Sequence, residues 1–361
     1  MYINIENHLK RVLNPIILED LLEIGSAHLP WGELDGKTVL ITGGSGFLAS
    51  YIVQSLLVVK RLYGLNIKVN CIVRNLNSVK TRLQAWGHEP DLQFFCHDIS
   101  APLADDFPVA DFIIHSASHA SPKYYGSDPV GTLLANSVGT KNLLDYSAKE
   151  GVKNFLFFSS GEVYGAPLSD GGLITENDYG YLDPMSIRSC YAESKRIGET
   201  MCVSWAHQYG LHINVVRPFH TYGPGMSLDD GRVFSDFVAD IVKRRNIKLK
   251  SDGLARRPFC YIADATLGFL TVLLKGLPSQ AYNVANPEAE ISMKDLANVL
   301  SQLFPEREIG VQFDVESKDD IYLKSPILRQ CPSVEKISKL GWFPKVNIED
   351  GFRRTIQSYI G

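Results

Sequence analysis

Apolar residues in this chain gather into short, nearly unbroken runs, separated by longer stretches of helical spacing. The runs are KTVLITG (37–43), IKVNCIVRN (67–75), LQFFCHDIS (92–100), ADFIIHSAS (110–118), VKNFLFFSS (152–160) and LHINVVRPF (211–219). A strand that is apolar at successive positions has both faces covered, as in parallel sheets. Residues 47–63, 136–149 and 191–209 read as helices between the runs. This alternation predicts an α/β fold, a Rossmann-like doubly wound parallel sheet.

The flanks are less regular. Leu9, Val12, Leu13, Ile16, Ile17, Leu21 and Leu22 recur at helical spacing, interrupted by Pro15. They predict one or two short amphipathic helices, a packing appendage or oligomer contact rather than a substrate lid. After Phe219 the pattern weakens into shorter helices (233–243, 294–304, 334–340) among loops with Pro and Gly. The chain therefore divides into a helical extension (1–36), a dinucleotide-binding domain (37–219) and a smaller lobe (220–361). That lobe binds substrate and returns in part to the sheet.

Composition narrows the field. Of 361 residues 45% are hydrophobic and 21% charged, which excludes a disordered chain, a collagen repeat and a coiled coil. A net charge of −4 without a basic run argues against nucleic acid as partner. No stretch reaches the length of a membrane span, and MYINIENHLKRVLN lacks a signal-peptide pattern. Six scattered cysteines form no C-x-x-C pair and no zinc spacing, so no metal is expected and the thiols read as reduced and cytoplasmic.

Two constellations carry chemistry. In TGGSGFLAS, Gly43, Gly46 and Ala49 follow the first strand and open a helix at Phe47. Small residues there let the backbone approach a pyrophosphate seated on the helix N-terminus. The second strand ends in Arg74 and Asn75 rather than a carboxylate, which leans the cofactor from NAD toward NADP. Asp98, with Ile99 beside it, is placed to meet the adenine. The other constellation is Tyr191 and Lys195, four apart and so on one helix face. An ammonium beside a phenol favours the phenolate and makes Tyr191 a base for a substrate hydroxyl. The strand ending in Ser159 and Ser160 supplies a hydroxyl to hold that group.

The ordered set TGGSGFLAS, HDIS, HSASHASP (115–122), NSVGTKNLL (136–144), FFSSGEVYG (157–165), YAESK (191–195), RPFHTYGPG (217–225) and DGLARRPFCYIADA (252–265) resembles the extended short-chain dehydrogenase/reductases that act on nucleotide sugars, the NAD-dependent epimerase/dehydratase family. The resemblance implies a tightly bound NAD or NADP, a nucleotide-sugar substrate and a homodimer paired through helices that include Tyr191. It implies that Ser116 and Ala117 line the cofactor cleft and that Lys195 holds the nicotinamide ribose. Ser160 would position the 4-hydroxyl, Tyr191 would take its proton, and Ser118, His220, Arg232 and Arg257 would meet the substrate.

Oxidation at C4 opens several reactions. Glu162 stands where decarboxylases and dehydratases of the family carry a catalytic glutamate. Gly161 stands where the dehydratases carry an aspartic acid. The approach Arg188-Ser189-Cys190-Tyr191 and the segment around Asp230–Val233 are similar to UDP-glucuronate decarboxylases. The resemblance therefore favours decarboxylation, with 4-epimerase, 4,6-dehydratase and 4-dehydrogenase as alternatives and a non-catalytic dinucleotide sensor or scaffold as the reading from another class. His220 in place of Asn and Gly225 in place of Arg depart from the family pattern.

Overall fold

A computed structural model describes residues 9, 11–166, 172–314 and 327–360. The six apolar runs become β1 (Lys37–Thr42), β2 (Ile67–Val73), β3 (Leu92–Cys96), β4 (Phe112–His115), β5 (Asn154–Phe158) and β6 (Ile213–Pro218). The later strands stop short of their runs because the last residues of each run leave the sheet as loops. A seventh strand, Gln280–Val284, pairs with β6, so the order is 280–284, β6, β5, β4, β1, β2, β3. Every pairing in this sheet is parallel. The winding reverses between β1 and β4, and the crevice at their carboxyl ends is where such folds bind ligands.

Helices cover both faces. Phe47–Tyr63 and Ile262–Lys275 bury Val53, Leu57, Phe269 and Leu270 on one side. Val138–Glu150 and Ser189–Tyr209 bury Leu143, Leu144 and Cys202 on the other. The helix expected over 136–149 is Val138–Glu150, and a further helix, Pro129–Asn136, precedes it across a break at Ser137 (φ −107°, ψ −70°). Asp128 caps the first by accepting from Gly131 N at 3.0 Å, and Pro129 opens it. Its last residue, Asn136, is buried and donates to Ser194 Oγ at 3.0 Å. The C-terminal part also forms a small sheet of Glu290–Ser292, Arg256–Tyr261 and His220–Tyr222.

Pro15 is the expected boundary, and it starts a helix. The helix runs Pro15–Ser26 with proline in its first turn and Asn14 Oδ1 accepting from Ile16 N at 3.0 Å. Leu18, Leu21 and Ile24 are buried against helices Phe47–Tyr63 and Ile262–Lys275. Asp20 pins this element. Its carboxylate accepts from Tyr51 Oη at 3.1 Å, Tyr261 Oη at 2.8 Å and Arg354 Nη2 at 2.7 Å. The described part of the extension is thus a packed element of the core and not a lid.

Burial outweighs Arg354 and raises the Asp20 carboxyl from 3.8 to about 6. Between those values the folded state keeps a proton that the unfolded chain has lost, so this group makes stability fall as pH rises through the window. Asp20→Asn is expected to remove that slope. Melting midpoints of the two proteins across the window check it, and parallel curves would contradict it.

Candidate active site

The candidate residues sit at the carboxyl ends of the strands. Gly43 leaves β1 at φ +68°, and a Cβ there would lie 3.0 Å from Ala117 Cα. Only glycine allows the loops after β1 and β4 to close this tightly. Gly46 is the N-cap of helix Phe47–Tyr63 and offers no side-chain cap, leaving the first N–H groups free for an anion. Ala49 is buried, and Phe47 is half-buried at the helix start. These features fit a dinucleotide pyrophosphate.

The neighbouring loops are braced by hydrogen bonds. Ser116 Oγ donates to Thr42 O at 2.7 Å and Ala117 N donates to Thr42 Oγ1 at 3.1 Å. The Ser116 hydroxyl therefore holds the loop together. Arg74 is exposed at the end of β2. Asp98 accepts from Ser100 N at 2.9 Å and Ser100 Oγ at 2.7 Å, which holds its carboxyl below the usual range. Ile99 has its backbone N–H, and not its side chain, to offer a cofactor. Its side chain is buried in the core, filling the space beside Gly139, where a Cβ would come within 2.8 Å of Ile99 Cδ1. Its carbonyl is taken by Asn142 Nδ2 at 2.9 Å.

Tyr191, Lys195 and Ser160 are brought together. Tyr191 lies in the first turn of helix Ser189–Tyr209, is 6% exposed, and stacks on Tyr125 at 5.1 Å and 16°. The Ser160 hydroxyl lies beside the phenol and favours its ionised form. Ser160 Oγ also accepts from Glu162 N at 3.2 Å, starting the short helix Gly161–Tyr164. Lys195 Nζ lies 5.8 Å from the Tyr191 ring centre and donates to Phe158 O at 2.6 Å.

The expected lowering of the phenol is not found. Burial pushes Tyr191 up to about 12, against the Ser160 hydrogen bond and the charge of Arg232. Burial also brings Lys195 down to about 7. The ammonium is itself desolvated and held by the Phe158 carbonyl, so it does not act on the phenol as it would in water.

Glu162 Oε2 lies 3.5 Å from Arg188 Nη2, the residue capping the Tyr191 helix. Among the described residues Arg188 Nη1 is buried without a hydrogen-bond partner, as are Ser118 Oγ and His220 Nδ1. Buried polar atoms are normally satisfied, so these three are open to a polar ligand. His220 is buried against Phe234 and Phe259. Burial, then Arg257 and Arg232, hold its imidazole well below the usual range, so it is neutral. Arg232 donates to Ala120 O at 2.9 Å and pairs with Asp230 at 3.1 Å. Arg257 donates to the carbonyls of Arg256, Ile327 and Leu328 at 2.7, 2.7 and 3.1 Å, tying the strand it sits on to the 327–328 segment.

Gly161 has a steric reason. A Cβ there would lie 2.7 Å from Phe219 Cε1. The place of the absent aspartic acid is thus closed by an aromatic ring as well as vacated in the sequence. Gly161→Asp is expected to destabilise the protein by about 1–3 kcal/mol through overpacking and to give no dehydration of a nucleotide hexose. A denaturation curve and a product assay check it, and a stable, dehydrating variant would contradict it.

Sequence reading did not place Tyr125 or Arg188 in the site. Tyr125 lies in the short helix Pro122–Ser127 and Arg188 just before a helix, and a single aromatic or arginine in such a place carries no periodic signal, although Arg188 stands three residues before Tyr191.

A parallel sheet with a glycine turn at its switch point and a buried Ser–Tyr–Lys group beside it defines an extended short-chain dehydrogenase/reductase. The chain belongs to the NAD dependent epimerase/dehydratase family, whose model matches residues 39–285. It is 34% identical to UDP-glucuronic acid decarboxylase 6 of Arabidopsis thaliana over 87% of this chain and 86% of that protein. Its fold is similar to dTDP-glucose 4,6-dehydratase DesIV of Streptomyces venezuelae, solved with NAD bound (TM-score 0.75, 25% identity, 89% of this chain and 96% of that one). It is also similar in fold to UDP-glucuronic acid 4-epimerase of Bacillus cereus (TM-score 0.75, 22% identity, 89% and 98% covered). No described helix is long and apolar enough to cross a membrane, and no described cluster of His, Cys, Asp and Glu has the makings of a metal site.

Proposed function

We propose that the chain oxidises a nucleotide-linked uronic acid at C4 and then releases its C6 carboxylate as CO2, acting as a UDP-glucuronate decarboxylase. The observation that carries this reading is the group around Tyr191. Glu162 and the half-satisfied Arg188 stand beside the phenol, while the position for a leaving-group acid is a glycine closed by Phe219. Decarboxylation needs no such acid. The similarity to a UDP-glucuronic acid decarboxylase over most of both chains supports the same reading.

In this account Gly43, Gly46, Phe47 and Ala49 hold the dinucleotide phosphates, and Arg74, Asp98 and the backbone of Ser116 and Ala117 line its cleft. A nicotinamide bound there would supply a hydride acceptor for C4 and a hydride donor for the ketone that remains after loss of CO2. Ser160 orients the 4-hydroxyl and Tyr191 removes its proton. Lys195, whose amine is tied to the Phe158 carbonyl, holds the ribose of the cofactor. The C4 ketone then makes the C6 carboxylate a β-keto acid. The C5–C6 bond breaks, its electron pair moves into the ketone as an enolate, and CO2 departs. Glu162 assists protonation at C5. Arg188, Arg232 and Arg257 suit an anionic substrate, and Ser118 and His220 offer it their open polar atoms.

We take the molecule to be a homodimer. Helices Pro129–Asn136 and Ser189–Tyr209 pack together and leave Val130, Leu133, Leu134, Ile197 and Val203 exposed, an apolar face suited to a second copy. Among the described residues all six cysteines are free, in keeping with a cytoplasmic setting.

Mass spectrometry after incubation with UDP-glucuronate tests the reaction. The expected product has lost the mass of CO2. An isomer of unchanged mass would replace this reading with epimerisation. Loss of water from a nucleotide hexose would replace it with dehydration. Binding without turnover across nucleotide sugars would leave a sensor or scaffold.

A further inference from the structure

We propose that the adenosine end of the cleft is built for a 2′-phosphorylated dinucleotide, NADP, gripped by Arg74 and the paired hydroxyls of Ser45 and Ser78, with the Arg82 guanidinium behind them. The family's description names NAD, and this chain's residues disagree with it at this one end. The inference depends on dinucleotide binding and not on which reaction follows oxidation.

A dinucleotide without the phosphate is usually held at this point by a carboxylate that accepts from the ribose 2′-hydroxyl. The first residues after β2 here are Arg74 and Asn75. The Asn75 carboxamide oxygen is already taken by Asn77 N at 2.8 Å. The nearby carboxylate of Asp98 feels the charge of Arg74 but is turned to Ser100 N and Oγ. Arg74 is exposed and makes no ion pair among the described residues.

The facing side of the cleft is polar and cationic. Ser45, the residue before Gly46 in the glycine turn, has its hydroxyl 2.7 Å from Ser78 Oγ. Ser78 Oγ in turn donates to Asn75 O at 2.6 Å, so the β1 and β2 loops are clasped by two hydroxyls that can turn to an anion.

Arg82 donates through Nε to Gly225 O at 2.8 Å and through Nη1 to Ser45 O at 3.2 Å. It is half-buried and makes no ion pair among the described residues, and the carboxylate whose charge reaches it, Asp230, is paired with Arg232. A cation held this far from water by carbonyls alone is left for an incoming anion to neutralise. A phosphate dianion between Ser45 and Arg74 would do so.

Calorimetric titration of the purified chain with 2′,5′-ADP and with 5′-ADP tests this. The expected result is binding of 2′,5′-ADP tighter by about tenfold or more, the range of a charge-assisted contact. Arg74→Glu, at an exposed site that leaves the fold intact, is expected to abolish the preference. Arg82→Met is expected to weaken 2′,5′-ADP by about tenfold and to leave 5′-ADP nearly unchanged. Equal binding of the two ligands by the wild type would overturn the proposal while leaving dinucleotide binding in place. A preference that survives Arg74→Glu would overturn it as well. Binding of neither ligand would overturn both.

Discussion

Tyr191→Phe lowers turnover of UDP-glucuronate by about a hundredfold to ten-thousandfold, the range for loss of a positioned acid–base group. The ring keeps its stack on Tyr125 and its place under the helix cap, so the variant folds and binds nucleotide as before. What it loses is the phenol oxygen proposed to take the proton of the 4-hydroxyl. Burial keeps that phenol at about 12 in the free protein, so the wild-type rate rises with pH from neutral into the alkaline range, and the residual rate of the variant does not. Turnover measured as a function of pH in both proteins checks both halves. Equal rates would remove Tyr191 from the chemistry, and an unchanged pH profile would remove it as the titrating group.

Arg217→Met destabilises the protein by about 3–5 kcal/mol, the cost of breaking a buried ion pair by removing one partner. Arg217 has 2% of its side chain exposed and meets Glu199 twice, Nε to Oε1 at 2.9 Å and Nη2 to Oε2 at 2.6 Å. Its remaining nitrogen donates to Tyr164 Oη at 2.9 Å and Glu176 O at 3.0 Å. Glu199 also accepts from the Ser159 hydroxyl and lies one turn beyond Lys195. The pair therefore ties β6 to the helix of Tyr191 and to the end of β5, where Ser160 begins its loop. Removing the guanidinium leaves the carboxylate uncompensated against that loop. Denaturant unfolding measures the loss. Arg217→Met with Glu199→Leu is expected to recover part of it, because the stranded charge is gone. A single variant as stable as the wild type would show that the pair contributes nothing net.

The sheet was legible because parallel strands buried on both faces must be apolar at successive positions, and β1 to β6 are. The strand Gln280–Val284 was harder to read, since it is short and begins with Gln and Ala that are only half-buried. The break at Ser137 was hidden because it depends on tertiary partners: Asn136 reaches Ser194 on another helix. The boundary at Pro15 was legible because proline cannot continue a helix but can start one, and the Asn14 cap makes it a start.

In the site, Gly43, Gly46, Tyr191 and Lys195 were legible from fixed spacing at strand and helix ends. The direction of the Tyr191 shift was not, because spacing reports that a cation is near and says nothing of how far both groups are withdrawn from water. The direction of the Ile99 side chain was not legible either, since its neighbour Asp98 is exposed while the next side chain turns into the core beside Gly139. The ring of Phe219 over Gly161 joins two distant segments and leaves no trace in either of them alone.

The central claim is that this site oxidises a sugar at C4 and then lets a carboxylate leave. UDP-glucuronate labelled with a stable isotope in its carboxyl carbon tests it most directly, with the gas and the nucleotide sugar collected from one reaction. The account predicts label in the trapped CO2, an unlabelled nucleotide pentose, and neither from Tyr191→Phe. Label retained in a nucleotide sugar after turnover would contradict it.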